Sequence, residues 1–384
     1  VNFKKFKKVI GALVASGLIG FSAQANALYG LLDLGSLSTN PIDVSNNLAI
    51  GGLINSSSQV AGTNLNTFAP TFWNGVASVS LSTLGGSMGS AYSVNNASVI
   101  TGWSTINGDD SAWHATVWNG STTTDLGTLG GTNSEGSDIN NANQVVGWSH
   151  TLNDNNYHAT IWNGTVATDL VGLGGISSDS EAFAINDNSQ VVGWSENSSG
   201  VRRATSWVGN NIVDLGALSD SGDSEAYDIN NAGRIVGVSA FGSVDHAVMW
   251  SGGSITDLGT LGGSFSVATG INSSGFIVGN SQILGDGAYH ATLWTDDGAT
   301  IIDLNTLLDA SFIADGWVLN DAYAINDNGW IVAQASNSIL GIASNTVLLS
   351  QSVAAVAEPE TYAMLLIGLG LIGFNQRKKL QVKS

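Results

Sequence analysis

Four histidines share one position of a recurring H-A-T or H-A-V segment: His114, His158, His246 and His290. Imidazole ligates metals and moves protons near neutral pH, so a recurring His is the first place to look for chemistry. Five aspartates, Asp125, Asp169, Asp214, Asp257 and Asp303, recur in a D-L segment, where turn or cap hydrogen bonds are their ordinary use. Asp220, Asp223, Glu225 and Asp228 form a local acidic group, but no D-x-[DN]-x-[DN]-G calcium loop contains them. Gly85-Gly86-Ser87-Met88-Gly89 satisfies G-x-S-x-G without a strand-to-helix elbow around it. The G-x-G-x-x-G at 368–373 lies in an apolar tail, with no strand before it to form a dinucleotide site. Trp103, Trp148 and Trp194 follow a V-V-G-like strand in only three places. Packing that holds a repeated fold should recur in every copy, so these three are the candidate ligand contacts.

All of these residues sit inside a cycle that must position them. The Trp closing each H-A-T-x-W-like segment falls at 73, 118, 162, 207, 250 and 294, in steps of 43 to 45 residues. The I-N-like dipeptide ends at Asn55, Asn95, Asn140, Asn186, Asn230, Asn272 and Asn326, giving seven copies. Self-similarity at this period marks a repeat architecture whose units cannot bury their apolar faces alone. In the third full unit, residues 137–140, 144–149, 158–162 and 166–170 read as four strands. Asn141-Ala142-Asn143 and Asn163-Gly164 supply the turns. Four short strands per unit predict a seven-bladed β-propeller. The phase of the cycle adds a prediction about closure. The array opens with a D-L strand near Leu34 and ends in the H-A-T-x-W position near Val347, so these orphans should pair and complete the last blade. The I-N strand should lie nearest the axis. The histidines then sit away from the axis and cannot converge on one metal, and the closing Trp residues become inter-blade packing.

Composition narrows the function. The 384 residues contain no Cys, which excludes disulfides and thiolate metal sites. Between residues 28 and 357 only Arg202, Arg203 and Arg234 stand against 28 Asp and Glu, a formal balance of −25. Such a body does not suit nucleic acid, whose phosphates require clustered cations. Residues 1–27 read as an export signal: Lys4, Lys5, Lys7 and Lys8 precede an apolar core, and Ala25 and Ala27 flank the cut site. After the repeat body, 28–352, comes a linker, 353–357. Glu358, Pro359 and Glu360 then precede a short apolar run, 363–374, and the basic Arg377-Lys378-Lys379. By the positive-inside rule those cations stay cytoplasmic and leave the body outside the inner membrane.

The recurring D-L-G-T-L-G-G, S-E-A-x-x-I-N, V-V-G-x-S and H-A-T-x-W strings resemble the bacterial extracellular HAF repeat over about residues 31–350. Here His-Ala-Thr or His-Ala-Val stands where that name implies His-Ala-Phe, and the family implies no particular activity. The tail, 358–384, resembles the PEP-CTERM sorting signal, with Ala357 in place of the first Pro. That resemblance implies export through signal peptidase and recognition by a membrane exosortase. It further implies anchoring by a C-terminal transmembrane helix before processing, and delivery to the cell surface or extracellular matrix. With no convergent catalytic set, no cofactor and no metal site apparent, the sequence predicts a non-enzymatic binding or structural scaffold associated with exopolysaccharide or another surface protein. The alternative is a propeller hydrolase or lyase acting on matrix glycan, which would need non-repeating carboxylates or His gathered at one ring face.

Overall fold

The computed structural model describes residues 29–34, 37–38, 53–64, 66–209, 211–219 and 222–351. The expected export signal with Ala25 and Ala27, the linker and the tail with Glu358, Pro359 and Glu360 lie outside them. The chain divides into two units. Gly30–Ser350 is the repeat body; of the other, Val1–Tyr29 with Gln351–Ser384, only Tyr29 and Gln351 are described. Among the described residues no helix is long and apolar enough to cross a membrane.

The described residues form seven four-stranded antiparallel sheets, one per repeat, and the chain is a seven-bladed β-propeller. The third blade is representative. Its strands, from the axis outward, are Gly130–Ile139, Gln144–Thr151, Tyr157–Asn163 and Val166–Asp169. The innermost strand begins seven residues earlier than the sequence suggests, because its polar stretch around Glu135 lines the inner wall and carries no apolar alternation. In the first blade the innermost position holds Leu37–Ser38 and a bridge from Ile54 to Val60. The last blade is Trp317–Ile325, Ile331–Asn337 and Ile342–Gln351, completed at its outer edge by Tyr29–Asp33 from the other end of the ring. Leu34 N–H donates to the Thr346 carbonyl at 3.0 Å, and Leu34 and Leu348 share one core cluster. The closure expected from the phase of the repeat is the one found.

A β-bulge interrupts six of the innermost strands at the same place, leaving Tyr92, Ser137, Phe183, Tyr227, Thr269 and Tyr323 as the extra residues. The bulge presses the inner backbone onto the second strand. A Cβ at Gly147 would stand 1.9 Å from the Glu135 carbonyl oxygen, which is why V-V-G carries glycine.

The inner strands are tied to one another by asparagine. Each I-N asparagine accepts the backbone N–H groups two and four residues onward, as Asn140 does from Ala142 and Gln144, and so closes its own hairpin turn. The fourth turn residue takes positive φ in every blade, from Ser58 at 59° to Gly275 at 83°. Each side-chain Nδ2 donates to the backbone carbonyl of the equivalent Asn one blade on. The distances are 3.0 Å from Asn55 to Asn95, 3.0 Å from Asn95 to Asn140 and 3.2 Å from Asn140 to Asn186. They are 3.1 Å from Asn186 to Asn230, 3.0 Å from Asn230 to Asn272 and 3.2 Å from Asn272 to Asn326. Asn326 donates back to Asn55 at 2.9 Å across 271 residues of chain. All seven are buried, so no water competes for these bonds.

Outside this ring the blades are glued by tryptophan. Trp162 packs with Val99, Ala115 and Leu126 of the preceding repeat, and Trp294 packs with Val236 and Ala247. The indole N–H of Trp294 donates to the Leu258 carbonyl at 2.9 Å. These residues are inter-blade packing, as expected. Two substitutions follow. Trp162→Ala should lower the free energy of unfolding by roughly 3–5 kcal/mol through the cavity it leaves. Asn140→Ala, which takes one of two donors from the Asn186 carbonyl and strands two turn N–H groups, should cost about 1–3 kcal/mol. Both are read from urea denaturation monitored by tryptophan fluorescence.

Candidate ligand-binding face and axial carboxylates

The topology gives the ring two unlike faces. One carries the Asn turns. The other carries the loops from second to third strand and the crossings into each next blade. Along the inner wall of this second face, Glu135, Glu181, Glu225 and Asp321 occupy equivalent positions on the innermost strands of four blades. Side chains from the third strand of the preceding blade reach across to them. Trp113 Nε1–H donates to Glu135 Oε1 at 3.0 Å, and Arg202 Nη1 donates to Glu225 Oε1 at 3.2 Å. Tyr157 meets Trp194 edge-on with ring centres 6.1 Å apart. Asn280, on a second strand, donates to Asp321. Each contact joins two blades.

The three tryptophans singled out in the sequence all lie in this belt. Trp103 donates from Nε1 to Tyr92 Oη at 2.8 Å and packs 6.0 Å from Trp113. Trp148 is half-buried and meets Tyr157 edge-on at 5.5 Å. Trp194 is only 2% exposed, with the Arg202 guanidinium 4.1 Å over its ring. Trp103 and Trp148 therefore keep surface free, whereas the Trp194 ring is covered by a cation–π contact. Trp113, Tyr157 and Arg202 were not singled out by the sequence. Their signal is a variable residue at the start of an otherwise uniform H-A-T strand.

Burial pushes the Glu135 carboxyl up to about 7, against the lowering effect of bonds from Trp113 and Trp148. Farther along the axis lie two more carboxylates with no acidic equivalent in most blades. Asp138 accepts from Ser93 Oγ at 2.7 Å, Ile139 N–H at 2.8 Å and Ile185 N–H at 2.9 Å, so it spans three blades. Asp228 accepts from Ile229 N–H at 2.7 Å and Ile271 N–H at 2.8 Å. Both use the unpaired backbone edge of the innermost strands. Asp228 is pushed up to about 8, first by burial and then by the Asp138 charge. Asp138 is raised by burial as well. They border a cavity of about 180 Å³ inside the Asn ring.

The remaining sequence candidates do not gather here. His114, His158, His246 and His290 each bond through Nδ1 to Asp125, Asp169, Asp257 and Asp303 respectively, on the neighbouring outer strand, at 2.7 to 2.9 Å. Those aspartates also accept the N–H two residues on, as Asp125 does from Gly127. Arg203 replaces His in the fourth blade and pairs with Asp214 at 3.2 Å. Ser87 of the G-x-S-x-G string bonds Asp110 through both its N–H and Oγ. The acidic group of the fifth repeat is dispersed: Glu225 faces Arg202, Asp228 faces the axis, and Asp220 lies outside the described residues. Among the described residues no three His, Cys, Asp or Glu converge to hold a metal ion. Arg202, Arg203 and Arg234 all stand on carboxylates, the last on Asp297 at 2.5 Å.

No protein-family model and no curated protein matches the sequence. Solved structures do. TolB from Acinetobacter baumannii is 13% identical with a TM-score of 0.37, over 62% of this chain and 60% of that chain. A gluconolactonase from Xanthomonas campestris is 9% identical with a TM-score of 0.39, over 86% and 93%. A puromycin-hydrolyzing peptidase from Mycobacterium tuberculosis is 10% identical with a TM-score of 0.45, over 85% and 56%. The chain thus spans little more than half the length of the first and the third. The expectation of a non-enzymatic chain is corrected here. Two of these similar structures are named as enzymes, a gluconolactonase and a peptidase. Likeness at this level is otherwise of fold alone and carries no substrate.

The buried acids set a pH dependence. A carboxyl whose folded-state pKa is raised stabilises the fold while protonated, and that stability is lost as pH rises through the folded value. For Glu135 and Asp228 the loss falls between the ordinary carboxylate range and about 7 to 8. The melting temperature should therefore fall from pH 5 to pH 9. Asp228→Asn, which cannot ionise, should show a shallower fall in differential scanning calorimetry over that range.

Proposed function

We propose that this chain is an exported β-propeller that binds a polysaccharide at the cell surface or in the extracellular matrix. Its export signal, 1–27, and its PEP-CTERM-like tail, 358–384, would deliver it there through signal peptidase and an exosortase, anchored in the inner membrane until the tail is processed. The HAF-like character of the repeat accords with this destination. The observation that carries the binding reading is the aromatic and carboxylate belt on the second to fifth blades. Half-buried Trp103, Trp113 and Trp148 offer amphipathic ring surface beside carboxylates that can accept hydroxyl hydrogen bonds. Sugar rings present the same mixture, an apolar C–H face edged by hydroxyls. The acidic body disfavours nucleic acid and strongly acidic polymers.

A second reading has its own observation. Glu135 is raised to about 7 while Glu225 stands on Arg202, and carboxyls with unlike environments on one face are the ingredients of a glycan hydrolase or lyase. One experiment addresses both. The full chain is titrated with native exopolysaccharide in a calorimeter, and the same mixtures are followed for reducing ends and unsaturated products. Saturable binding weakened at least tenfold by Trp148→Ala is expected. Absence of binding to any surface polymer would remove the proposal. Turnover abolished by Glu135→Gln would favour the second reading.

A further inference from the structure

The repeat is kept closely around the ring except in one place. Successive I-N asparagines are 40 to 46 residues apart, but Asn272 and Asn326 are separated by 54. The added chain lies in the crossing from sixth to seventh blade, as a 3-10 turn at Leu304–Leu307 and a short helix, α1, at Ala310–Ala314. It emerges on the face opposite the Asn ring. There it is tied to the loop of the seventh blade, because Asn337 Nδ2 donates to the Asp315 carbonyl at 3.0 Å. The space beside Gly316 is filled by Ile339, whose Cδ1 would stand 2.7 Å from an added Cβ.

The loops flanking this insertion are apolar at their tips. Phe241 of the fifth blade, Leu284 of the sixth, Ile313 of α1, Ile339 and Leu340 of the seventh and Phe68 of the first are 43% to 83% exposed. The fold does not require this. The same loop in the second blade is Asn107-Gly108, and in the fourth it is Ser198-Ser199-Gly200. Elsewhere on this face, among the described residues, Leu152 of the third blade and Val171 and Ile176 of the crossing into the fourth are exposed and apolar too, away from the insertion. Between the apolar tips stand the exposed carboxylates Asp223, Asp245, Asp286 and Asp315. None of the three arginines of the body lies on these four blades of this face; Arg202 and Arg203 belong to the fourth blade, and Arg234 follows the Asn230 turn on the opposite face.

We propose that this crescent, from the fifth blade through the inserted helix to the first, docks a cationic, apolar-faced segment of a partner protein. Aliphatic tips give no flat face to stack sugars, which separates this surface from the tryptophan belt. A second copy of the chain would bring a body of formal charge −25 against an equal one, which disfavours self-docking. A segment of Lys or Arg interleaved with apolar residues satisfies both features at once, covering the tips and neutralising the carboxylates. The inference stands apart from the polysaccharide reading and survives its failure.

The test uses the full chain and a fluorescein-labelled peptide of alternating Leu and Lys, followed by anisotropy, with a matched Leu and Glu peptide beside it. Saturable binding of the Leu–Lys peptide alone is expected. Leu284→Ser with Leu340→Ser, and separately Asp245→Asn with Asp286→Asn, should each weaken it at least tenfold. Asp327→Asn, on the opposite face, should leave it unchanged. The replaced tips are exposed and Asn keeps the hydrogen bonds of Asp, so unchanged thermal melting certifies each variant. Affinity indifferent to both double variants, or equal uptake of the Leu–Glu peptide, overturns the proposal. Self-association of the unliganded chain in sedimentation, abolished by the same double variants, overturns it in favour of a second copy.

Discussion

A side-chain amide that donates to the backbone of the next blade is the bond on which this ring depends. The innermost strand of a propeller blade has one edge without a ladder partner, and seven such edges converge on the axis. Burying unpaired donors and acceptors there would be costly. Asparagine is suited to the position because it carries an acceptor and a donor on a short, stiff arm. The acceptor shapes the hairpin within the blade, and the donor reaches the neighbour. The last of the seven bonds, Asn326 to Asn55, joins the two ends of the array without any covalent closure. The outer strand borrowed from the start of the chain performs the same office at the rim.

Tryptophan works at a larger radius, where blades diverge and more volume must be filled. Trp118, Trp162, Trp207 and Trp294 are almost fully buried between sheets, and the His–Asp pairs lie farther out still. Polar closure near the axis, aromatic packing at mid-radius and ion pairs outside thus follow the widening gap between blades. Residues that recur are explained by this geometry. The ones that do not recur are where the chain differs from its own pattern: Asp138 and Asp228 on the axis, the Trp113 and Arg202 latches, and the insertion before the seventh blade.

Much of this was legible before any coordinates. The I-N asparagines and the closing tryptophans announce themselves by sevenfold and sixfold recurrence, and the phase of the array foretold that Leu34 would meet the strand around Val347. The bulge was not legible. Its extra residues alternate among Tyr, Phe, Ser and Thr, and a one-residue slip leaves no mark in a string that already contains glycine. The inner-wall strand around Glu135 is longer than its sequence pattern shows for a related reason: a polar strand along the inner wall has no apolar period to betray it. The acidic group of the fifth repeat looked like one cluster because its members are close in sequence. The bulge and the pleat send Glu225 and Asp228 to different neighbours.

The sequence by itself determined the module, the number of copies and the order in which they close, because periodicity is a property of the chain. It also fixed the acidic balance of the body. Only the tertiary structure decided which side chains of different blades meet, since those partners lie 22 to 47 residues apart and their contact depends on the twist of two sheets. That is why Trp113 with Glu135, Arg202 with Glu225, and Asp138 with Ile185 could not be paired from the string. The same holds for Trp194, equivalent to Trp148 in sequence: Tyr157 of the preceding blade arrives against its ring, and with Arg202 of its own blade over the face the indole is covered, whereas Trp148 keeps free surface.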